Sequence, residues 1–261
     1  MVTLNLDCAR RPSLKVRLGD TIKLLATLNA SEAIKPQKVK FGVIHRDESF
    51  IVIDKPPGLV VHPGAGNPDG TLVNGLLEVF PELEALPRAG LVHRIDKLTS
   101  GLLLVARTPS SYQQLVRAMA RRDIVRTYDG IVNGVLVGGG TIDAAVARDP
   151  TQRTRMCIAK SGRKAVTHYR VKKRFRAHTL VKFKLETGRT HQIRVHMSSL
   201  RYPIVGDIRY GGRRLLPSTP SDKLVTALDS FARHALHARR LIFIHPSRNE
   251  QVSFESPGPR D

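Results

Sequence analysis

Tryptophan is absent, and only five tyrosines occur in 261 residues. A chain that grips single strands by stacking successive bases needs more aromatic surface than that, so extensive stacking is not the theme here. Cysteine is nearly missing too. Cys8 and Cys157 can form neither a disulfide framework nor a cysteine-based zinc site, which suits a reducing compartment. No apolar run approaches the length of a membrane span. Met1–Asp7 holds an early acid and no long apolar core, so it does not read as a secretory leader. The expectation is a cytoplasmic, monomeric chain with no membrane association.

Acids are scarce relative to bases: 22 Asp+Glu face 43 Lys+Arg, for a net charge of +21. An excess of that size repels itself unless a polyanion shares it, and nucleic acid is the expected partner. The imbalance is uneven, at +5 over residues 1–40, −2 over 41–110 and +18 over 111–261. A near-neutral centre is flanked by basic surface. With 41% hydrophobic residues the chain can fill a real core, which excludes wholesale disorder.

The local patterns are mostly short strands with a few helices. Lys15–Leu24 alternates about Gly19-Asp20 as a hairpin would. Phe41–His45 and Phe50–Asp54 read as paired strands. Thr71 caps a helix carrying Leu72, Val73, Leu76, Leu77 and Phe80. Thr108-Pro109 starts a second, with Tyr112, Leu115, Val116 and Met119 inward. Strands are expected at Leu102–Ala106, Val125–Val132, Val181–Leu185, Leu236–Ile244 and Val252–Phe254. Thr190 is expected to cap a short helix with Ile193, Met197 and Leu200 inward, and Gly211–Ser221 to form a mobile loop. Without regular strand–helix alternation, the fold class is α+β with a largely antiparallel sheet.

Two stretches could carry chemistry. In His93-Arg94-Ile95-Asp96-Lys97-Leu98-Thr99-Ser100-Gly101 an acid stands at the mouth of an apolar strand. A buried acid is costly without a partner or a job, although on local grounds alone a turn cap is the simpler reading. In Glu186-Thr187-Gly188-Arg189-Thr190-His191-Gln192-Ile193-Arg194-Val195-His196 an arginine precedes a helix, where backbone N–H groups and a guanidinium suit an anion. His191 and His196 are five apart, not the four that presents two ligands on one helical face, so no metal site is expected. There is no phosphate-binding loop with its Lys-Ser/Thr and no Gly-x-Ser-x-Gly nucleophile elbow.

These two stretches resemble the signature motifs of the RluA-type pseudouridine synthases. Lys55-Pro56-Pro57-Gly58 with His62-Pro63 is similar to that family's early motif, and Arg126-Thr127-Tyr128 to its tyrosine motif. Order and spacing agree over residues 41–257. Val61–Gly75 and Arg148–Tyr169 are most similar to members that act on large-subunit ribosomal RNA. The resemblance implies a cofactor-free, metal-free isomerase acting on ribosomal RNA or a pre-ribosomal particle. Alternatives are transfer RNA or another ribosomal site as substrate, or a catalytically idle RNA-binding assembly protein.

By that resemblance Asp96 is the catalytic acid, Tyr128 stacks on the base and removes the C5 proton, and Arg189 pairs with Asp96. Arg94 fills the gap left by a flipped-out nucleotide, Ile193 walls the pocket, and Arg194 and His62 bind substrate. Ile95, Leu98 and Thr127 depart mildly from the pattern. Residues 1–40 resemble only the end of a small RNA-binding module, so they are expected to be its remnant plus a linker. Residues 41–257 are then the catalytic domain and 258–261 a loose tail.

Overall fold

The computed structural model describes residues 2–5, 7–8, 14–24, 34–211 and 214–259. Residues 1–34 and 35–261 form two compact units. In the first, β1 (Val2–Leu4) lies between β2 (Asp7–Cys8) and β3 (Ile22–Leu24), antiparallel to both. The expected hairpin over 15–24 does not form. Asp20 accepts from the Arg17 amide (2.7 Å) and the Asn5 side chain (3.1 Å), and the Asn5 carbonyl accepts from the Thr21 amide (3.0 Å). These bonds tie the turn to Asn5, so β3 joins β1 and leaves Leu18 exposed.

The boundary falls after residue 34 rather than 40, because 35–41 packs on the first helix of the larger unit. That helix, α1 (Leu72–Val79), is capped by Thr71. Its Asn74 donates to the Lys35 carbonyl (2.9 Å) and accepts from Thr71. A side chain at Gly75 would strike Val39 and Phe41, so the glycine is what admits this segment.

The larger unit is built on one nine-stranded sheet. Its strands are β4 (Gly42–Arg46), β5 (Phe50–Lys55), β6 (Ser100–Ala106), β7 (Val125–Asn133) and β8 (Gly140–Asp143). After a separate small ribbon of β9 (Val146–Arg148) and β10 (Met156–Ile158) come β11 (Val166–Arg174), β12 (His178–Leu185), β13 (Leu236–Ile244) and β14 (Gln251–Glu255). The order is β4-β5-β6-β13-β7-β12-β11-β8, with β14 beside β13. Every pairing is antiparallel except β6 with β13, which sets Ser100 opposite His237 and Gly101 opposite Ala238. The expected α+β class with a mixed, mostly antiparallel sheet is what forms.

β5 and β6 are buried on both faces, and their alternation sorts them into two cores. Ile51, Ile53, Leu103 and Val105 pack with Leu72, Val73 and Leu76 of α1. Phe50, Val52, Leu102 and Leu104 pack with Leu115, Tyr112 and Met119 of α2 (Pro109–Arg121). Val116, expected inward, is 39% exposed. The helix α3 (Gln192–Ser199) begins after His191, not at Thr190. The Gln192 side-chain carbonyl accepts from the Arg189 amide (3.0 Å) and from Thr187 Oγ1 (2.7 Å), which closes the preceding turn and sets His191 at φ 56°. Ile193 and Met197 are inward as expected, whereas Leu200 caps the end and is 37% exposed. Part of the expected 211–221 loop, residues 212–213, lies outside the described residues. It is followed by α4 (Asp222–Ser230), which has no fully buried residue and whose short stripe of Leu224, Val225 and Leu228 is only half-buried.

Candidate active site

Asp96 sits on the loop that enters β6, and four anchors hold that loop. The buried Lys55 ammonium donates to the carbonyls of Pro56 (2.8 Å), Leu59 (2.9 Å) and Lys97 (3.0 Å). The Gly58 amide also donates to Lys97 O (2.9 Å). Thr99 Oγ1 pairs with His234 Nε2 at 2.7 Å, and Ser100 Oγ with His237 Nδ1 at 2.9 Å. The early Lys-Pro motif and the Thr-Ser pair therefore serve the same end. Burial drives the Lys55 amine down to about 7, with Asp96 opposing. Gly101 closes the loop: at φ +107° its missing Cβ would lie 2.3 Å from Ala238 O, so only glycine lets β6 reach β13 here.

The partner of Asp96 is Arg194, not Arg189. Arg194 Nη1 donates to Asp96 Oδ2 at 2.9 Å. Its Nε and Nη2 donate to Asp207 at 2.7 and 2.9 Å, a two-point fork. Arg194 lies on the buried face of α3 with its side chain 7% exposed, while Arg189 stands in the turn before the helix. Arg189 Nε donates instead to the Lys164 carbonyl (3.1 Å), leaving it on the rim of the same cleft. The ion pair expected of Arg189 is made by Arg194, because the turn closed by Gln192 leaves Arg189 on the rim while α3 is buried from Gln192 to Met197.

Burial alone would raise the Asp96 carboxyl. His191 and Arg194, the latter with its hydrogen bond, outweigh burial and hold Asp96 below the usual carboxylate range. Asp207 is held low against burial by the Arg194 hydrogen bond and charge. The Arg194 plane also lies over the Tyr210 ring at 4.9 Å. Tyr210 OH takes the Met156 amide (2.7 Å) and pairs with His191 Nδ1 (2.7 Å).

Asp96, Arg94, Tyr128, Arg189, Ile193 and Arg194 all line one cleft of about 520 Å³, its open mouth included. His62 does not line it. Burial first, then the charges of Arg88 and Arg94, push His62 down to about 4, so it stands neutral beside the rim. Tyr128 is 5% exposed and reaches the cleft from β7. Burial raises its phenol, Arg126 opposes and Asp96 adds to the shift, so the resting hydroxyl keeps its proton.

Residues to which the motifs gave no role also belong here. Arg126 lines the cleft, is 5% exposed and has its Nε without a hydrogen-bond partner among the described residues. A side chain at Gly188 would press on its guanidinium. His191, Thr99 and Leu236 complete the wall, and Asp207 and His234 back it. Thr99, Arg126 and His191 stand within the quoted motifs. Asp207 and His234 are marked by no local pattern. Among the described residues no three His, Cys, Asp or Glu side chains gather so as to hold a metal ion, and no helix is long and apolar enough to cross a membrane.

The arrangement offers an ionised, oriented carboxylate facing a phenol and a buried guanidinium. Arg194 binds Oδ2 of Asp96, and Asp96 lines the cleft. The sequence model of the RNA pseudouridylate synthase family matches residues 49–199. Ribosomal large subunit pseudouridine synthase D of Xanthomonas campestris is 51% identical over 251 residues, 96% of this chain and 76% of its own. The protein of the same name in Vibrio parahaemolyticus is 46% identical over 260 residues, 100% of this chain and 80% of its own. The solved structure of human RNA pseudouridylate synthase domain containing 1 superposes with a TM-score of 0.65 at 27% identity, covering 87% of each chain.

Proposed function

The chain belongs to the RNA pseudouridylate synthase family, and from that premise we propose that it converts specific uridines of large-subunit ribosomal RNA to pseudouridine in the Asp96 cleft, in the cytoplasm. The observation that carries this reading is the Asp96–Arg194–Asp207 array beside Tyr128.

The reaction breaks the N1–C1′ bond, turns the uracil and rejoins it through C5. Breaking a glycosidic bond places positive charge on the sugar, which a carboxylate meets. A glycosidase needs a second carboxylate to activate water. Here the base returns to the same sugar, so one reacting acid serves. Asp207 cannot act as a second, since both its oxygens are engaged by Arg194. Asp96 presents its carboxylate to the sugar while Arg194 keeps Oδ2 and the charge in place. Tyr128 stacks on the base and takes the C5 proton as the new bond forms. Burial keeps its hydroxyl protonated at rest, so as it takes the C5 proton it passes its own proton on to water or to the released N1 of the base. Arg126 faces the uracil carbonyls, a use for its unpaired Nε–H. Arg94, exposed on the rim, occupies the stack that the flipped nucleotide vacates.

The test is pseudouridine mapping of ribosomal RNA from cells lacking the gene, complemented with wild type or Asp96→Asn. Ribosomal sites that vanish and return only with wild type are expected. An unchanged ribosomal map would overturn the substrate, and changes in transfer RNA alone would reassign it.

A further inference from the structure

The strands that line the cleft carry a second surface on their other side. Side chains alternate across a strand. On β7, Arg126 and Tyr128 line the cleft, whereas Val125 and Thr127 line a groove on the opposite face. On β12, Leu185 faces the cleft and Lys182 and Lys184 face the groove. The groove encloses about 1120 Å³, its open mouth included, with Val125 and Ile242 as its apolar parts and Gly139 and Gly140 on one wall.

Its charge is one-sided. Arg170 stands directly across from Lys182, whose neighbour on the other side is Asp129, a carboxylate already bound by Lys172. Like charges directly opposed on neighbouring strands destabilise a sheet unless something between them is negative. The neighbouring acids are already engaged: Asp129 by Lys172, Glu186 by Arg122 and His168, and Glu255 by Arg239 and Arg240. Arg170, Lys182 and Lys184 have no carboxylate partner among the described residues, and all three are exposed. Between Lys184 and Arg240 in the register lies Thr127. It is 6% exposed, and its hydroxyl has no hydrogen-bond partner among the described residues. Buried hydroxyls are almost always satisfied, so this one marks a place where an acceptor oxygen belongs.

We propose that this groove is a second RNA-binding site, in which Arg170, Lys182 and Lys184 hold backbone phosphates and Thr127 donates to a phosphate oxygen. The inference rests on the reading that the cleft acts on RNA. Because the sheet separates groove from cleft, a short hairpin seated in the cleft does not reach the groove. A large folded RNA does. The site therefore selects for extended ribosomal RNA over its isolated stem-loops.

The experiment compares the full chain with the triple variant Arg170→Gln/Lys182→Gln/Lys184→Gln. Two probes are used: a large-subunit ribosomal RNA transcript, and a short hairpin carrying the reactive uridine. On the transcript, affinity at low salt is expected to fall roughly tenfold to a hundredfold, and the slope of log K against log salt to become shallower by about 2 to 3. KM rises and kcat at saturation stays. On the hairpin nothing changes. The charge-keeping variant Arg170→Lys/Lys182→Arg/Lys184→Arg binds like wild type, and the melting temperature of the triple variant is equal or higher. Wild-type affinity and slope on the transcript, or an equal loss on both probes, overturns the proposal. If wild type forms no pseudouridine in either RNA, the reading of the cleft fails, while the binding comparison still reports on the groove.

Discussion

Asp96 and Asp207 are held apart by a single guanidinium. Arg194 gives Asp207 two hydrogen bonds and Asp96 one. The array carries a net negative charge in a place where Arg194 and Asp207 are almost fully buried. Removing one member of such a buried set leaves an uncompensated charge, which costs about 3–5 kcal/mol. Asp207 thus fixes the arginine, and the arginine fixes Asp96.

Arg194→Lys replaces a fork with a point donor that cannot serve both acids. Its kcat is expected to fall about a hundredfold or more, since a misplaced reacting group costs that much. Arg189→Met should keep kcat within about threefold of wild type, a change worth less than about 1 kcal/mol in the barrier. Steady-state assays of both variants decide between the two arginines. The opposite ranking would reinstate Arg189 as the partner of Asp96.

Asp96→Asn keeps the shape of the side chain and loses its charge. Turnover should drop by about 10³-fold or more, while RNA affinity stays near wild type because the basic surface is untouched. Tyr128→Phe should likewise bind RNA and stall. Tritium release from C5-labelled uridine reads the second variant, and release at the wild-type rate would remove the phenol from the proton transfer.

Stability should fall on the acid side of neutrality. His234 is 1% exposed, and burial first, then Arg194, push its imidazole down to about 4. The unfolded chain takes up that proton near pH 6.5 and the folded protein does not until about pH 4. Stability is therefore full above 6.5 and is lost as pH falls toward 4, by about 3 kcal/mol at most. His62 adds to the loss over the same window. Urea titrations from pH 7.5 to 4.5 measure this, and His234→Gln should flatten the limb. Constant stability across the window would show that these imidazoles are not buried neutral.

Gly101→Ala places a methyl group against the Ala238 carbonyl at a left-handed φ. The clash and the backbone strain together should cost about 3 kcal/mol or more. Chemical denaturation should show the loss with an unchanged m-value. A cost under 1 kcal/mol would mean that β6 and β13 separate easily at this point.

What the chain could state by itself was local. The caps at Thr71 and Thr108, the alternation of β7 and β12 and the motif around Asp96 are read within a few residues, because side-chain period and turn chemistry are short-range. The tyrosine and the acid were legible because motif order marks them. Tertiary structure alone decided the rest. Asp96 and Arg194 are 98 residues apart, and Thr99 and His234 are 135 apart. Their meeting depends on β13 sliding between β6 and β7, which no nearby residue announces. The same insertion lines up Thr127 between Lys184 and Arg240 and so builds a basic groove behind the site. Which arginine faces the acid is decided by the irregular turn that Gln192 closes before α3, leaving Arg189 outside the helix and Arg194 within its buried length.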